Sequence, residues 1–131
     1  MRVDKQLSVF LENRPGTLAR MCEALAEKGI NLLALSVSDT VDHAVVRMVV
    51  DKPTDALHLL GSSGVLVVEN DVLLMQVPNR AGALAVIANQ LAENHINIEY
   101  AYCTATEDQP SGMLVLRTRD PKHALRVLRE S

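Results

Sequence analysis

The sequence predicts an α+β fold in which one unit of alternating strands and helices occurs twice. The stretch LENRPGTLARMCEALAEKGIN, Leu11 to Asn31, returns as VPNRAGALAVIANQLAENHIN, Val77 to Asn97. Within each copy the hydrophobic residues change from the alternation of a strand to the three- and four-residue spacing of a helix. A length of 131 residues accommodates two small units, each of which would be marginally stable alone.

The first repeat is predicted to follow the order β-α-β-β-α-β. Alternating hydrophobic residues over Leu7–Leu11 indicate the first strand. The first helix is predicted over Pro15–Lys28, with Pro15 in the first turn, where its missing N–H costs nothing. Gly29 and its counterpart His95 follow a helix and are expected in the left-handed conformation. The remaining elements are strands at Leu32–Ser38, Ala44–Val50 and Val65–Glu69 and a helix from Pro53 to Gly61.

The second repeat is aligned with the first by placing Asn79 on Asn13 and Gly82 on Gly16. The same order of elements then follows, with a hairpin loop that is two residues longer, since loops accept insertions. Because the sequence ends soon after the second helix of this repeat, we expect its fourth strand to be missing. The predicted elements are helices at Ala81–Asn94 and Pro121–Arg129 and strands at Leu73–Val77, Ile98–Thr104 and Met113–Thr118.

The order βαββαβ predicts a ferredoxin-like sandwich for each repeat. Its antiparallel sheet has the strand order 4-1-3-2, with both helices on one face and strand two at an edge. Residues 1–70 are assigned to the first repeat and residues 71–131 to the second. The sheets of the two repeats are expected to pair edge to edge. The strand Leu73–Val77, left without a neighbour, is an alternative edge at which a homodimer could form by strand addition.

Composition excludes several classes of function. The formal net charge is −3 without a run of basic residues, and the aromatic residues are Phe10, Tyr100 and Tyr102, so neither the positive stripe nor the stacking platform of a nucleic-acid binder is present. No apolar run long enough to span a membrane and no signal peptide is recognised, which predicts a cytoplasmic protein. Cys22 and Cys103 are too few for a disulfide scaffold.

The sequence gives no indication of catalysis. It contains no nucleophile–base pair, no carboxylate dyad and no phosphate-binding loop. Its four histidines lack the spacing of metal ligands. We therefore predict a non-catalytic protein without a metal or cofactor.

The motif NRPG at Asn13–Gly16, followed at a fixed distance by GIN at Gly29–Asn31, resembles the ACT domain. The second repeat carries the related NRAG and HIN, so the resemblance covers nearly the whole chain. It implies two small βαββαβ modules that bind amino acids and regulate metabolic enzymes. The chain looks like a tandem ACT protein without an attached catalytic domain.

The loop motif resembles the regulatory domain of 3-phosphoglycerate dehydrogenase, in which two modules pair edge to edge and bind serine at the seam. Ligand contacts there come from the loop asparagine of one module and the strand-two asparagine of the other. Serine-binding members carry a histidine two residues before the loop asparagine, where this chain has Leu11 and Val77, so the ligand's identity stays open. The resemblance implies ligand-binding roles for Asn13, Arg14, Pro15, Gly16, Asn31, Asn79, Arg80, Gly82 and Asn97.

The chemistry of the loop agrees with amino-acid binding. Free backbone N–H groups at a helix N-terminus attract a carboxylate, and the two loop glycines let a ligand approach the backbone. An asparagine can accept from an ammonium and donate to a carboxylate. If two modules meet antiparallel along strand two, Asn31 faces the Asn79 loop and Asn97 faces the Asn13 loop.

Simpler interpretations remain open for the same residues. The loop asparagines could be helix caps or turn residues, and Arg14 and Arg80 could be solvated charges. Cys22 is expected to pack in the core. Tyr100 and Tyr102 share one face of a strand, where they could pack at an interface or line a ligand pocket.

Two functions follow from these observations. The first is an amino-acid sensor whose partners are a free amino acid, a second copy of the chain in a homodimer, and a metabolic enzyme. The second is a structural or assembly module that acts through oligomerisation or through a partner enzyme without a ligand.

Overall fold

The computed structural model of the chain describes residues 1–130. Contacts between residues divide it into two compact units, one formed by Lys5–Asn70 and the other by Met1–Asp4 together with the residues from Asp71 onward. The strands are β1 (Arg2–Glu12), β2 (Leu32–Asp39), β3 (His43–Val50), β4 (Leu66–Pro78), β5 (Tyr100–Thr104) and β6 (Ser111–Arg117), and the helices are α1 (Thr17–Glu27), α2 (Pro53–Ser62), α3 (Ala83–Glu93) and α4 (Pro121–Arg129).

The unit formed by Lys5–Asn70 has the predicted sandwich fold. Its strand order is β2-β3-β1-β4, which confirms the predicted order and places β2 at the edge. β3 is antiparallel to both β1 and β2. Leu7 of β1 and Met48 of β3 lie opposite each other and pack in one core with Leu25 of α1 and Leu60 of α2. Both helices therefore cover the same face of the sheet.

The unit that starts at Asp71 includes a strand segment from the beginning of the chain. Its own repeat supplies three strands, and Met1–Asp4, with the first residues of β1, belong to this unit, so its strand order is β5-β6-β4-β1. β4 lies between β1 and β6 in the sheet, and its residues Leu73–Val77 pair with β6. An open edge along Leu73–Val77 on the side of β1 stays a prediction. Leu73, Leu91 and Leu116 are buried in the core of this unit.

Deleting Arg2–Asp4 should destabilise the unit that starts at Asp71. The deletion removes the backbone groups of the fourth strand, and a few net hydrogen bonds at about 1 kcal/mol each give an expected loss of about 2 kcal/mol. The matched control is Arg2→Ala, which keeps the backbone and removes the exposed ion pair between Arg2 Nε and Asp4 Oδ2 at 3.1 Å, for less than about 0.5 kcal/mol. Urea unfolding followed by circular dichroism measures both, and equal stability of the two variants would contradict the assignment.

The first helix of each repeat begins later than predicted. Pro15 lies in a turn before α1 rather than in its first turn, and Ala81 holds the same position before α3. The reason is the glycine that follows: Gly16 and Gly82 are the N-caps, with φ of +90° and +87°, values that a right-handed helix excludes. Each glycine reverses the chain between the strand and the helix, a turn that other residues adopt only with strain.

The helix ends agree with the prediction. Gly29 has φ of +68° and His95 has φ of +57°, so both take the expected left-handed conformation. The strand after His95 is shorter than expected, because β5 begins at Tyr100 instead of Ile98. Within residues 1–130, no helix has the length and apolar character needed to cross a membrane.

Candidate functional site

The loop between β1 and α1 is held by hydrogen bonds to the hairpin between β2 and β3. The backbone N–H of Asn13 donates to Asp42 O at 3.2 Å, and its side-chain amide donates to Thr40 O at 3.3 Å. Thr17 Oγ1 donates to Glu12 O at 2.8 Å and lies 3.0 Å from Arg14 O. The loop and the hairpin are therefore joined on one end of the unit.

The loop between β4 and α3 is held in the same way, and the side chain of its asparagine donates one hydrogen bond more than Asn13 does. The backbone N–H of Asn79 donates to Pro110 O at 3.0 Å. Its side-chain amide donates to two carbonyl oxygens of the hairpin between β5 and β6, Thr106 O and Gln109 O, both at 2.8 Å. The two N–H bonds of this amide are thereby used, and Asn79 Oδ1 is left as an acceptor.

These contacts exclude one of the simpler interpretations of the loop asparagines, that of helix caps. Neither residue is a helix cap, because the cap positions are Gly16 and Gly82. Both side chains fix the loop to the neighbouring hairpin, which is a positioning role. With Oδ1 still available, Asn79 can also accept a hydrogen bond from an ammonium group.

The first turns of α1 and α3 present backbone N–H groups toward solvent. No side chain caps either helix, since the cap residues are glycines. The N–H groups of Leu18 and Ala19 in α1, and of Leu84 and Ala85 in α3, lie in the first turn and have no acceptor within their helix. Such a pair of donors, at the positive end of a helix dipole, suits a carboxylate.

The two loop arginines differ in their surroundings. Arg14 Nε forms an ion pair with Glu12 Oε2 at 2.9 Å. Arg80 occupies the same position in the second repeat, but Pro78 stands in place of Glu12. Within the described part of the chain, no carboxylate pairs with Arg80. Arg80 is thus the loop cation that remains available to an anionic ligand.

The strand-two asparagines lie at the other end of their units. The backbone of Asn31 is bonded to Asp51, through Asn31 N to Asp51 Oδ1 at 2.9 Å and Asp51 N to Asn31 O at 3.1 Å. Asn13 N donates to Asp42 O, and β3 separates Asp42 from Asp51 by roughly 30 Å at about 3.4 Å per residue. A single unit therefore cannot bring Asn13 and Asn31 to one amino acid.

Asn97 lies in a wide groove of its own unit. This groove, of about 770 Å³, is also lined by His95, Arg119, Asp120 and His123. Neither Asn79 nor Arg80 borders it. The residues predicted to bind a ligand thus fall, within each unit, into two separate groups: the loop residues and the strand-two asparagine.

A pocket adjoins the loop of the second repeat. Its volume is about 290 Å³, and it is lined by the loop residues Asn79, Arg80 and Gly82 and by Leu84 and Ala85 of α3. Ala83, the first residue of α3, also lines it. Its other walls come from the end of β4 and from the adjoining hairpin, namely Val77, Pro78, Cys103, Ala105 and Gly112. The pocket brings three of the predicted ligand-binding residues together with the free N–H groups of α3.

The groove beside the first repeat's loop lies elsewhere. It has a volume of about 500 Å³ and runs between α1 and the residues that begin β4, with Arg14, Thr17 and Arg20 on one side and Ser63 and Leu66 on the other. No residue of the hairpin between β2 and β3 lines it. The two loops, similar in sequence, therefore border different cavities.

Cys103, Ala105 and Gly112 are pocket residues that the sequence did not single out. Cys103 pairs with the buried Leu114, so it lies on the face of the sheet that carries the helices. Tyr100 and Tyr102 lie on the opposite face, because strand side chains alternate. Neither tyrosine lines this pocket, and the hypothesis that they line a ligand pocket elsewhere stays a prediction.

The remaining candidates have ordinary surroundings. Cys22 is partly buried and packs against the core of its unit, as expected. Among residues 1–130, no group of three or more histidine, cysteine, aspartate or glutamate side chains is arranged to hold a metal ion.

Comparisons with known proteins agree with the resemblance of the loop motif. The family described as "ACT domain pair" matches residues 1–131. Protein BT0572 from Bacteroides thetaiotaomicron, a solved structure, is 35% identical with a TM-score of 0.91, over 98% of this chain and 88% of that chain.

Two regulatory subunits of aspartate kinase share the fold. The ligand-free subunit from Thermus thermophilus is 18% identical with a TM-score of 0.72, over 99% of this chain and 97% of that chain. The subunit from Thermus flavus is 19% identical with a TM-score of 0.67, over 98% of this chain and 94% of that chain. No curated protein sequence matches the chain significantly.

Proposed function

The chain belongs to the ACT domain pair family, and we propose that it is a non-catalytic regulatory protein that binds a small free amino acid. The observation that carries this proposal is the pocket beside Asn79 and Arg80. It combines an unpaired cation, two free backbone donors and an available amide oxygen in about 290 Å³, close to the lower end of the usual volume of ligand pockets.

Each group of a zwitterion has a partner in this pocket. The carboxylate is bound by the N–H groups of Leu84 and Ala85 and by the guanidinium of Arg80, a combination of helix dipole and charge-assisted hydrogen bonds. The ammonium donates to Asn79 Oδ1, whose amide N–H groups are held by the hairpin. Because that amide cannot turn without losing two hydrogen bonds, its oxygen is preorganised to accept.

The strand-two asparagines, Asn31 and Asn97, would complete a site from a second module. Each lies at the end of its unit remote from the loop, so its contact with the ligand requires another ACT module. We propose that this requirement links ligand binding to association, including a homodimer. Ligand affinity and association then depend on each other, as linkage demands.

The regulated partner in this proposal is a cytoplasmic metabolic enzyme. The names of the Thermus structures, regulatory subunits of aspartate kinase, give an example of the ACT pair fold in a separate regulatory chain. A ligand that binds the associated form better than the free form shifts the population of the complex by its difference in affinity.

A thermal-shift screen tests the proposal. The full chain is heated with each of the twenty amino acids at millimolar concentration. A ligand at one hundred times its dissociation constant adds about 2.7 kcal/mol to the unfolding free energy and raises Tm by several degrees. We expect one chemical class of amino acid to raise Tm, while the corresponding amino alcohols, which lack the carboxylate, have no effect. An unchanged Tm with all twenty would refute amino-acid binding.

The exposed edge of β2 favours the second candidate, an assembly module. Leu35 and Val37 on this edge strand are 39% and 47% exposed, and edge strands with apolar side chains invite pairing. Light scattering with and without amino acids separates the candidates. An oligomer that forms identically in both conditions, with no ligand in the thermal-shift screen, identifies an assembly module.

A further inference from the structure

We propose that the two repeats are not equivalent, and that the pocket of the second repeat is the one amino-acid site per chain, selective for an uncharged aliphatic side chain. This inference rests on the proposed function and adds to it the site and the ligand class. Four differences between equivalent positions of the repeats support it.

The first difference is the charge available in the loop. In the first repeat, Glu12 Oε2 lies 2.9 Å from Arg14 Nε, so a carboxylate of the chain already occupies the cation that a ligand carboxylate would use. In the second repeat, Pro78 replaces Glu12, and Arg80 has no acidic partner within residues 1–130. The arginine of the first loop thus has an acidic partner, and the arginine of the second loop has none among the described residues.

The second difference is access to the loop glycine. A Cβ on Gly16 would lie 3.0 Å from Arg20 Nη1, so this guanidinium lies directly over the glycine. A Cβ on Gly82 would meet no atom within 4 Å, because Val86 stands in place of Arg20. A ligand can therefore approach the backbone of the second loop closely, whereas Arg20 covers the first.

The third difference is the space beside the loop. On the helix-covered face of the edge strand, the first repeat has Leu35 and Val37, and the second repeat has Ala101 and Cys103 at the equivalent positions. Smaller side chains on this face leave room between the strand and the first turn of α3. The pocket of about 290 Å³ occupies that space.

The fourth difference is the hairpin that closes the pocket. A Cβ at Gly112 would collide with the carbonyl oxygen of Thr104 and would lie 2.9 Å from Ala105 Cβ. The first repeat has Ala44 at this position, so its hairpin does not make this close approach. Thr104 and Ala105 thus fold against Gly112 in the second repeat, and Ala105 and Gly112 line the pocket there.

The lining of the pocket indicates the class of side chain that it accepts. Val77, Ala83, Leu84 and Ala105 line it with apolar atoms, and Arg80 is the charged residue among its described lining. A ligand with a second carboxylate would leave one charge without a partner, and a cationic side chain would face Arg80. An uncharged aliphatic side chain buries apolar surface instead.

Calorimetric titration of the full chain tests the proposal. For the wild type we expect one site per chain, with an aliphatic amino acid bound at least about tenfold more tightly than aspartate or lysine. Arg80→Gln should weaken binding by about tenfold to a hundredfold, because a charge-assisted hydrogen bond is lost. Arg80→Lys, which keeps the charge, should recover part of that loss, and Arg14→Gln should change affinity by less than about twofold.

Two further variants give the second repeat the features of the first. Pro78→Glu supplies a carboxylate to Arg80 and should weaken binding by about twofold to fivefold, since an exposed ion pair contributes up to about 1 kcal/mol. Cys103→Val reduces the volume of the pocket. It should therefore weaken the binding of the larger aliphatic amino acids more than the binding of alanine. Val37→Cys is the matched control in the first repeat and should leave the affinity unchanged. Circular dichroism confirms that each variant is folded.

The outcomes distinguish this inference from the proposed function. Two equal sites per chain, an equal effect of Arg14→Gln and Arg80→Gln, or a preference for a charged amino acid would each overturn the inference while leaving amino-acid binding intact. Absence of heat with all twenty amino acids, together with no change in Tm, would overturn both.

Discussion

Leu91→Ala should lower the unfolding free energy by about 2–5 kcal/mol, the usual range for removing a fully buried leucine. Leu91 is 0% exposed and lies in the core of its unit between α3 and the sheet. The substitution removes three buried carbon atoms and leaves a cavity, because the surrounding side chains relax only partly. Urea unfolding followed by circular dichroism measures the change.

Two controls make the Leu91→Ala measurement specific. Leu25 is the equivalent core residue in the other unit and is 1% exposed, so Leu25→Ala should cost a similar amount. Val86 lies on the outer face of α3 and is 59% exposed, so Val86→Ala should stay within about 0.5 kcal/mol. A decrease in unfolding free energy below about 1 kcal/mol for Leu91→Ala would contradict the placement of Leu91 in the core, which the helical spacing of apolar residues predicts.

Gly112→Ala should cost about 1–3 kcal/mol, a large effect for the addition of one methyl group. The new Cβ would collide with the carbonyl oxygen of Thr104, which is backbone and cannot turn aside as a flexible side chain could. The hairpin between β5 and β6 must move, and the wall of the pocket moves with it. We therefore expect weaker amino-acid binding together with lower stability.

Ala44→Gly is the matched control for Gly112→Ala. It makes the reverse exchange at the equivalent position of the first repeat and should cost about 1–2 kcal/mol, through backbone entropy and the loss of one buried methyl group. It should leave ligand affinity unchanged. If Gly112→Ala proved as stable as the wild type, the close approach of the hairpin to Gly112 would be contradicted.

Much of the fold could be predicted because the same sequence pattern occurs in both repeats. The alternation around Leu7 and the helical stripe through Leu25 each have a counterpart in the second repeat, and both signals follow from which face is buried. The left-handed residues Gly29 and His95 could be predicted from the chemistry of helix ends. These features depend on residues near one another in sequence.

The predictions that differ from the structure concern features that depend on a whole loop or on residues distant in the sequence. The start of α1 was placed too early, because Pro15 fits a first helical turn and the positive φ of Gly16 is a property of the loop as a whole. The grouping of Met1–Asp4 with the unit that starts at Asp71 was not predicted, because these residues lie far from that unit in the sequence. A local pattern contains no information about a strand so far away.

The pocket was missed because small side chains create it. Cys103, Ala105 and Gly112 attract little attention when chemistry is sought among charged and polar residues. Their signal is visible when the repeats are compared position by position, since Val37, Asp39 and Ala44 are their counterparts. The replacement of Glu12 by Pro78 is a signal of the same kind, and it leaves Arg80 unpaired.

The most direct test of the account is a crystal structure of the chain grown with pooled aliphatic amino acids. We predict one amino acid per chain in the pocket of the second repeat, with its carboxylate on the N–H groups of Leu84 and Ala85 and on Arg80, and its ammonium on Asn79 Oδ1. An amino acid bound beside Arg14 instead, or a second-repeat pocket that stays empty at saturating concentration, would contradict it.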